Sequence, residues 1–204
     1  AASGGEMPQS TNANRYYHNY AYERTAYSKG AVFLGQLIYI VGKEKVFEIL
    51  QTYYDEWKFK HPLPNDLRRI AERISGIQLQ WFLTDWTQTT NAINYSIGAV
   101  EEASAGTIIR LIRKEVMPMP LEVLIQYKSG EFELHYIPIS LMRGEKENPY
   151  GLEWKIQPDW TWSNLNYTFT VDKEKDQIEA IVIDPSNLMA DIDKTDNFYV
   201  APKK

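Results

Sequence analysis

The chain has 204 residues, of which 44% are hydrophobic and 24% charged, with a formal charge of −5 and no cysteine. That length fits one large domain or two modest ones. The acidic balance argues against nucleic acid as a partner, because phosphate binding needs a basic surface; the missing cysteines exclude disulfides and thiolate-held zinc, and no run approaches the ~20 apolar residues of a membrane span.

The chain opens Ala-Ala-Ser-Gly-Gly, without an initiator Met, a basic leader or an apolar leader segment, so it is expected to be processed or cut from a longer polypeptide. Residues 1–20 carry Gly, Ser, Asn and then tyrosines with no sustained period, and are expected to be a loop leading into structure. From Ala26 to Val41 the apolar residues Ala31, Leu34, Leu37, Ile38 and Val41 recur mostly at steps of three and four, which predicts a helix. Gly42 is its expected stop. A second helix is expected over Lys43–Trp57, with Val46, Ile49, Leu50, Tyr53 and Trp57 on one face. His61-Pro62-Leu63-Pro64 breaks it. Asn65 is the expected cap of a third helix carrying Leu67, Ile70, Ala71 and Ile74, which Ser75-Gly76 ends. A fourth, Ile77 to Trp86, follows. Loops this short predict antiparallel helical neighbours.

After Thr87 the period changes. Runs rich in Ile, Val, Tyr and Phe predict seven strands: 94–100, 107–115, 121–127, 132–139, 152–156, 166–171 and 178–183. Turn signals such as Ser129-Gly130 and Asp184-Pro185 separate them. This pattern predicts an antiparallel β-sandwich. The expected organisation is therefore α+β, with a helical portion over 1–90 and a β-sandwich over 91–204.

Four pieces of sequence carry a resemblance. Tyr27-Ser28-Lys29-Gly30 is similar to the Tyr-x-Lys-Gly motif of aminopeptidase N-like zinc metallopeptidases, the gluzincin aminopeptidases. Gly42 stands where that family has the Gly of Leu-Gly-x-x-x-Phe, with Val41 and Val46 replacing Leu and Phe. Trp57 to Pro62, then Asn65-Asp66-Leu67, resemble the helix end, loop and helix start that come next. Ser75-Gly76, Leu79, Phe82 and Trp86 resemble Ser-Gly-x-x-Leu-x-x-Phe-Phe-x-x-Trp, with Leu83 for the second Phe. The pieces occur in the family's order, and the resemblance covers roughly residues 22–140. It implies that the helical portion is the end of a thermolysin-like catalytic domain. It also implies that Tyr27 is catalytic, donating its phenolic hydrogen to the oxyanion formed when a peptide carbonyl is attacked. The start of a helix would place a positive dipole end nearby. Read without the resemblance, a Tyr in a first helical turn packs on the core. Lys29 is read as structural, and the cluster Tyr16, Tyr17, Tyr20 and Tyr22 either packs on the helices or lines a substrate pocket.

Zinc hydrolysis needs His-Glu-x-x-His on one helix face. The histidines here are His18, His61 and His135, none at that spacing. The resemblance places zinc ligands before the Tyr motif, so zinc and peptide substrate are expected in the parent enzyme, and this chain alone is expected to be inactive. Helices once covered by the missing catalytic core would expose an apolar patch, which predicts self-association of the isolated chain. Two smaller signals remain. Asp191, Asp193 and Asp196 are read as a solvated acidic turn, since the Gly and terminal Glu of a calcium loop are missing. Trp160 and Trp162 would share a face if extended, filling a core or forming a glycan platform. The alternative to the peptidase reading is a non-catalytic module that binds peptide or glycan.

Overall fold

A computed structural model describes residues 5–202. The chain divides into two compact units: one runs to Asn91 and includes Leu141–Pro149, and the other comprises Ala92–Ser140 and Tyr150 onward. The first is helical and the second is built of sheets, so the fold is α+β.

In the helical unit, a 3-10 turn (Ala13–Arg15) leads to α1 (Asn19–Tyr22), a π-helical turn (Glu23–Ser28), α2 (Lys29–Val41), α3 (Lys43–Trp57), α4 (Pro64–Ser75) and α5 (Gln80–Gln88). The first helix therefore begins well before Ala26, inside the segment expected to be loop. His18 starts it: the backbone there is extended and Nδ1 accepts the Ala21 amide at 3.0 Å, the service an N-cap side chain performs. Apolar periodicity could not reveal this start, because the turn that follows is wound for a longer repeat than 3.6 residues.

The C-terminal half of α2 is buried almost all round (Leu37, Tyr39, Ile40, Val41), while Ala31, Val32 and Leu34 in its first half face solvent. The five residues expected on one buried face are thus divided along the helix. Gly42 joins α2 to α3 at φ 93°, a region that an L side chain rarely enters. On α3 and α4 the buried apolar residues are Val46, Ile49, Ile70 and Ala71. The cap of α4 is Leu63 rather than Asn65, with Pro64 in the first turn; the Asp66 carboxylate accepts the Leu63 amide at 2.8 Å. Proline suits that position because its missing N–H would have no helical partner. Residues 77–79 lie before α5, and Leu79, its N-cap, has φ −121° and ψ 8°. Gln78 donates to the Met142 carbonyl at 2.8 Å, and Leu79 to the Glu72 carboxylate at 2.8 Å. Phe33 stacks on Phe82 (4.9 Å between centroids), and Phe82 meets Trp86 (5.8 Å), closing the core. Lys146 of the 141–149 segment is buried; its Nζ donates to the Tyr39 carbonyl at 2.8 Å in the last turn of α2, where a cation complements the helix dipole.

The sheet unit holds eight strands. β1 (Tyr95–Glu102), β2 (Thr107–Arg113) and β6 (Asn166–Val171) form an antiparallel sheet in the order β1-β2-β6. A second sheet has the order β5-β4-β3-β7-β8, from β3 (Leu121–Tyr127), β4 (Phe132–Ile137), β5 (Trp154–Ile156), β7 (Ile178–Ile183) and β8 (Phe198–Val200). Seven strands match expected runs, and β8 was not foreseen. The expectation of a wholly antiparallel arrangement is corrected at one place: β5 runs parallel to β4. Parallel neighbours need a long connection, and the chain supplies one over 138–153. Side chains from the two sheets meet inside the unit, as where His135 of β4 lies 4.8 Å from the Phe169 ring of β6.

Trp160 and Trp162 do not share a face. Trp160 is in the core, between Tyr95 (5.5 Å) and Tyr167 (5.2 Å), with Nε1 donating to the Asn164 carbonyl at 2.9 Å; Trp162 is exposed. A turn closed by Asn164 on Thr161 bends the segment between them. Nor is the acidic tail simply solvated. Asp191 is buried and accepts the Tyr95 amide (2.9 Å), the Asp193 amide (2.9 Å) and the Asn197 side chain (3.3 Å). Its carboxyl is raised by burial. Backbone donors that would otherwise be orphaned explain a buried carboxylate there.

Candidate functional site

Tyr27 sits in the π-helical turn and is 65% exposed. The side chain is therefore not lost among aliphatic neighbours. The turn is defined by a hydrogen bond from the Lys29 amide to the Arg24 carbonyl, five residues back. Because the helix already starts at Asn19, Tyr27 is in a helix interior and not a first turn. The expected help from a helix dipole is withdrawn, since that effect fades beyond the first turn.

Around Tyr27 the rings form a short chain. Tyr22 meets Tyr27 edge-on at 5.7 Å and 88°, and Tyr16 meets Tyr22 at 5.2 Å and 72°. The Tyr22 phenol is held above its ordinary value, first by a hydrogen bond with Tyr27. Burial raises Tyr16. Tyr17 and Tyr20 are exposed, and the Arg24 guanidinium lies 4.3 Å over the Tyr20 ring.

The other motif residues anchor this platform. Lys29 is buried: its Nζ donates to the Thr89 carbonyl at 3.0 Å, lies 4.0 Å from Glu6 and 5.8 Å above the Trp86 ring. Burial lowers its pKa. Trp86 returns a bond from Nε1 to the Lys29 carbonyl at 3.3 Å. These contacts pin the start of α2 to the end of α5, so Lys29 has a positioning task with no open face. Thr25, fully buried, accepts the Met7 amide on Oγ1 at 3.2 Å, and Ser10 donates to the Thr87 carbonyl at 2.8 Å. The amino-terminal segment thus lies across the helix. A Cβ on Gly30 would come within 3.2 Å of Gln9 Nε2, the end of a flexible side chain.

Among the described residues no group of three His, Cys, Asp or Glu could hold a metal ion. His18 caps α1, His61 is exposed, and His135 is in the sheet core. The donor set present does not fit zinc. The sequence motif singled out Tyr27 and Lys29 but did not show that the Tyr22 and Tyr27 rings meet. The only clue in sequence is their spacing of five, which belongs to neither the helical nor the strand period.

Over 100 residues, 48% of its length, the chain is 31% identical to aminopeptidase N of Streptomyces lividans. The matched stretch is 12% of that protein. No family model matches the chain. The relationship is a loose, aminopeptidase-like one.

Proposed function

We propose that this chain is the part of a zinc aminopeptidase that contributes Tyr27 as hydrogen-bond donor to the oxyanion of the reacting peptide. The reading rests on one observation above others: the tyrosine of the Tyr-x-Lys-Gly segment offers an exposed side chain on a helix anchored by Lys29. A preorganised donor of this kind acts because it meets charge that exists in the transition state and hardly at all in the bound substrate. The zinc, its ligands and the grip on the substrate's amino end would come from polypeptide outside these residues. The exposed Ala31, Val32 and Leu34 would then be a surface that the remainder of the enzyme covers.

The test is Tyr27→Phe in the full-length, zinc-loaded protein, assayed on an amino-acid anilide. Turnover should fall by ~10²–10³, the cost of one oxyanion donor, with zinc content unchanged. Turnover within a factor of two of the parent would remove Tyr27 from the mechanism. A full-length protein that binds peptide or glycan without hydrolysing any anilide would establish the binding-module alternative.

A further inference from the structure

The π-helical turn Glu23–Ser28 lies between α1 and α2. Turns of this kind are rare inside helices, so something at these residues holds the wider winding. The inward side of the chain here is a stripe at steps of four: Ala21, Thr25 and Lys29 are all buried. Tyr27 follows Thr25 by two residues, roughly half a turn, and it is exposed where Thr25 is not.

Successive residues of the amino-terminal segment fasten that stripe. Met7 donates its amide to Thr25 Oγ1 at 3.2 Å, and the Glu6 carboxylate lies 4.0 Å from Lys29 Nζ. Neighbours in the segment thus reach positions four apart and span most of the π turn. Ser10 ties the far end of the segment to α5 through the Thr87 carbonyl at 2.8 Å. A threonine hydroxyl inside a helix ordinarily serves its own backbone three or four residues back. Here Oγ1 accepts a hydrogen from outside the helix, which ties the rotation of residue 25 about the axis to a separate piece of chain. With residue 25 held inward, the half turn to residue 27 faces Tyr27 outward.

Building on the functional reading above, we propose that Thr25 is a positioning residue: bonded to the Met7 amide, it seats the π turn against residues 5–10 and so keeps Tyr27 turned toward the reacting peptide. The amino-terminal segment is then a clamp on the oxyanion donor. A catalytic group displaced by a fraction of its working distance loses rate while the rest of the site still binds substrate, so the clamp acts on kcat.

Two measurements separate the clamp from the function. In the 204-residue chain, amide hydrogen exchange followed by NMR should show the Met7 amide protected, with exchange at least about tenfold faster in Thr25→Val and near the parent rate in Thr25→Ser. An amide unprotected in the parent, or equally protected in Thr25→Val, overturns the clamp. In the full-length, zinc-loaded enzyme, Thr25→Val should lower kcat by about tenfold, the scale of one ordinary hydrogen bond, with KM within about twofold, and Thr25→Ser should restore it. Met7→Pro, which removes the donor and leaves Thr25 in place, should lower kcat likewise, whereas Met7→Ala, which keeps the amide, should not; this pair decides the matter if Thr25→Val does not fold. Added to Tyr27→Phe, Thr25→Val should cost no further rate, because Thr25 acts through Tyr27. Parent-like kcat in Thr25→Val, or multiplicative losses in the double variant, would overturn the positioning role. Full activity in Tyr27→Phe would instead overturn the functional reading and with it the catalytic half of this inference, while hydrogen exchange decides the clamp on its own.

Discussion

In the sheet unit tyrosine hydroxyls are tied inward. Tyr95 Oη donates to the Met119 carbonyl at 3.2 Å and accepts the Met119 amide at 2.7 Å; Tyr127 donates to Glu133 at 2.7 Å, and Tyr150 to Glu122. Burial pushes all three phenols up. At the amino-terminal end of the helical unit the tyrosines do the opposite. Tyr17, Tyr20 and Tyr27 leave much of their rings in water, and Tyr22 meets Tyr27 edge-on at 5.7 Å. A phenol whose hydroxyl is bonded inside the fold helps to hold it together. A phenol whose ring faces water is placed to meet a substrate. The contrast predicts that changes in the first set cost stability, and that changes in the second cost activity.

The sharpest break of that contrast comes from removing one hydroxyl. Tyr27→Phe should lower turnover of the full-length enzyme by ~10²–10³ yet leave folding stability within about 0.5 kcal/mol, because an exposed side chain has few partners to lose. Chemical denaturation of the 204-residue chain measures the second quantity. A large stability loss would mean that this hydroxyl belongs with the structural set.

The tryptophans of the sheet unit give the reverse case. Trp160→Ala removes a side chain only 3% exposed, together with its bond to Asn164, and should cost ~3–5 kcal/mol. Trp162→Ala, at 54% exposure, should stay within about 0.5 kcal/mol. Equal costs for the pair would show that the bend between them does not separate core from surface.

These residues also show where sequence suffices. Runs rich in Ile, Val, Tyr and Phe between turn signals located β2, β3, β4 and β7 to within two residues. The span of α3 was legible from apolar residues spaced mostly three and four apart. Tyr27 was singled out only through resemblance, and the contact of its ring with Tyr22 was not foreseen, because a π turn leaves no repeat to read. Tertiary placement was equally hidden. Nothing local distinguishes Asp191, which satisfies three donors from inside, from the neighbouring acids, and nothing local makes β5 run parallel to β4.

His135 refines the comparison by pH. It is 1% exposed, with Nε2 3.0 Å from Glu133 Oε1 and Nδ1 2.9 Å from Gln157; Lys155 lies on the same carboxylate at 2.5 Å, and Phe169 covers the ring. Desolvation lowers its pKa, against the pull of Glu133. The unfolded chain, with an ordinary histidine near ~6.5, therefore binds the proton more readily than the folded one. The stability His135 supplies is complete above about pH 6.5 and is lost as pH falls below it, at no more than about 1.4 kcal/mol per pH unit. His135→Gln should flatten that part of the stability curve relative to the parent. Identical curves would place the His135 proton equilibrium in water, contrary to its burial.

The smallest expected effect lies at the end of α3, where Phe59 adopts φ 63° and is fully exposed. Lys58 and Lys60 on either side lie over Tyr54 (5.5 Å) and Trp57 (5.8 Å), so the Phe59 ring has neither a core nor a partner to repay its conformation. A bulky residue in the left-handed region costs on the order of 1 kcal/mol, and glycine adopts it freely. Glycine also loses more freedom on folding, which offsets part of the gain. Phe59→Gly should therefore raise stability by a few tenths of a kcal/mol up to about 0.7, read as a small increase in denaturation midpoint with an unchanged denaturant slope. A decrease would show that this ring is held by contacts of its own, and that the far end of α3, like the tyrosine edge of α1, carries an exposed aromatic for more than geometry.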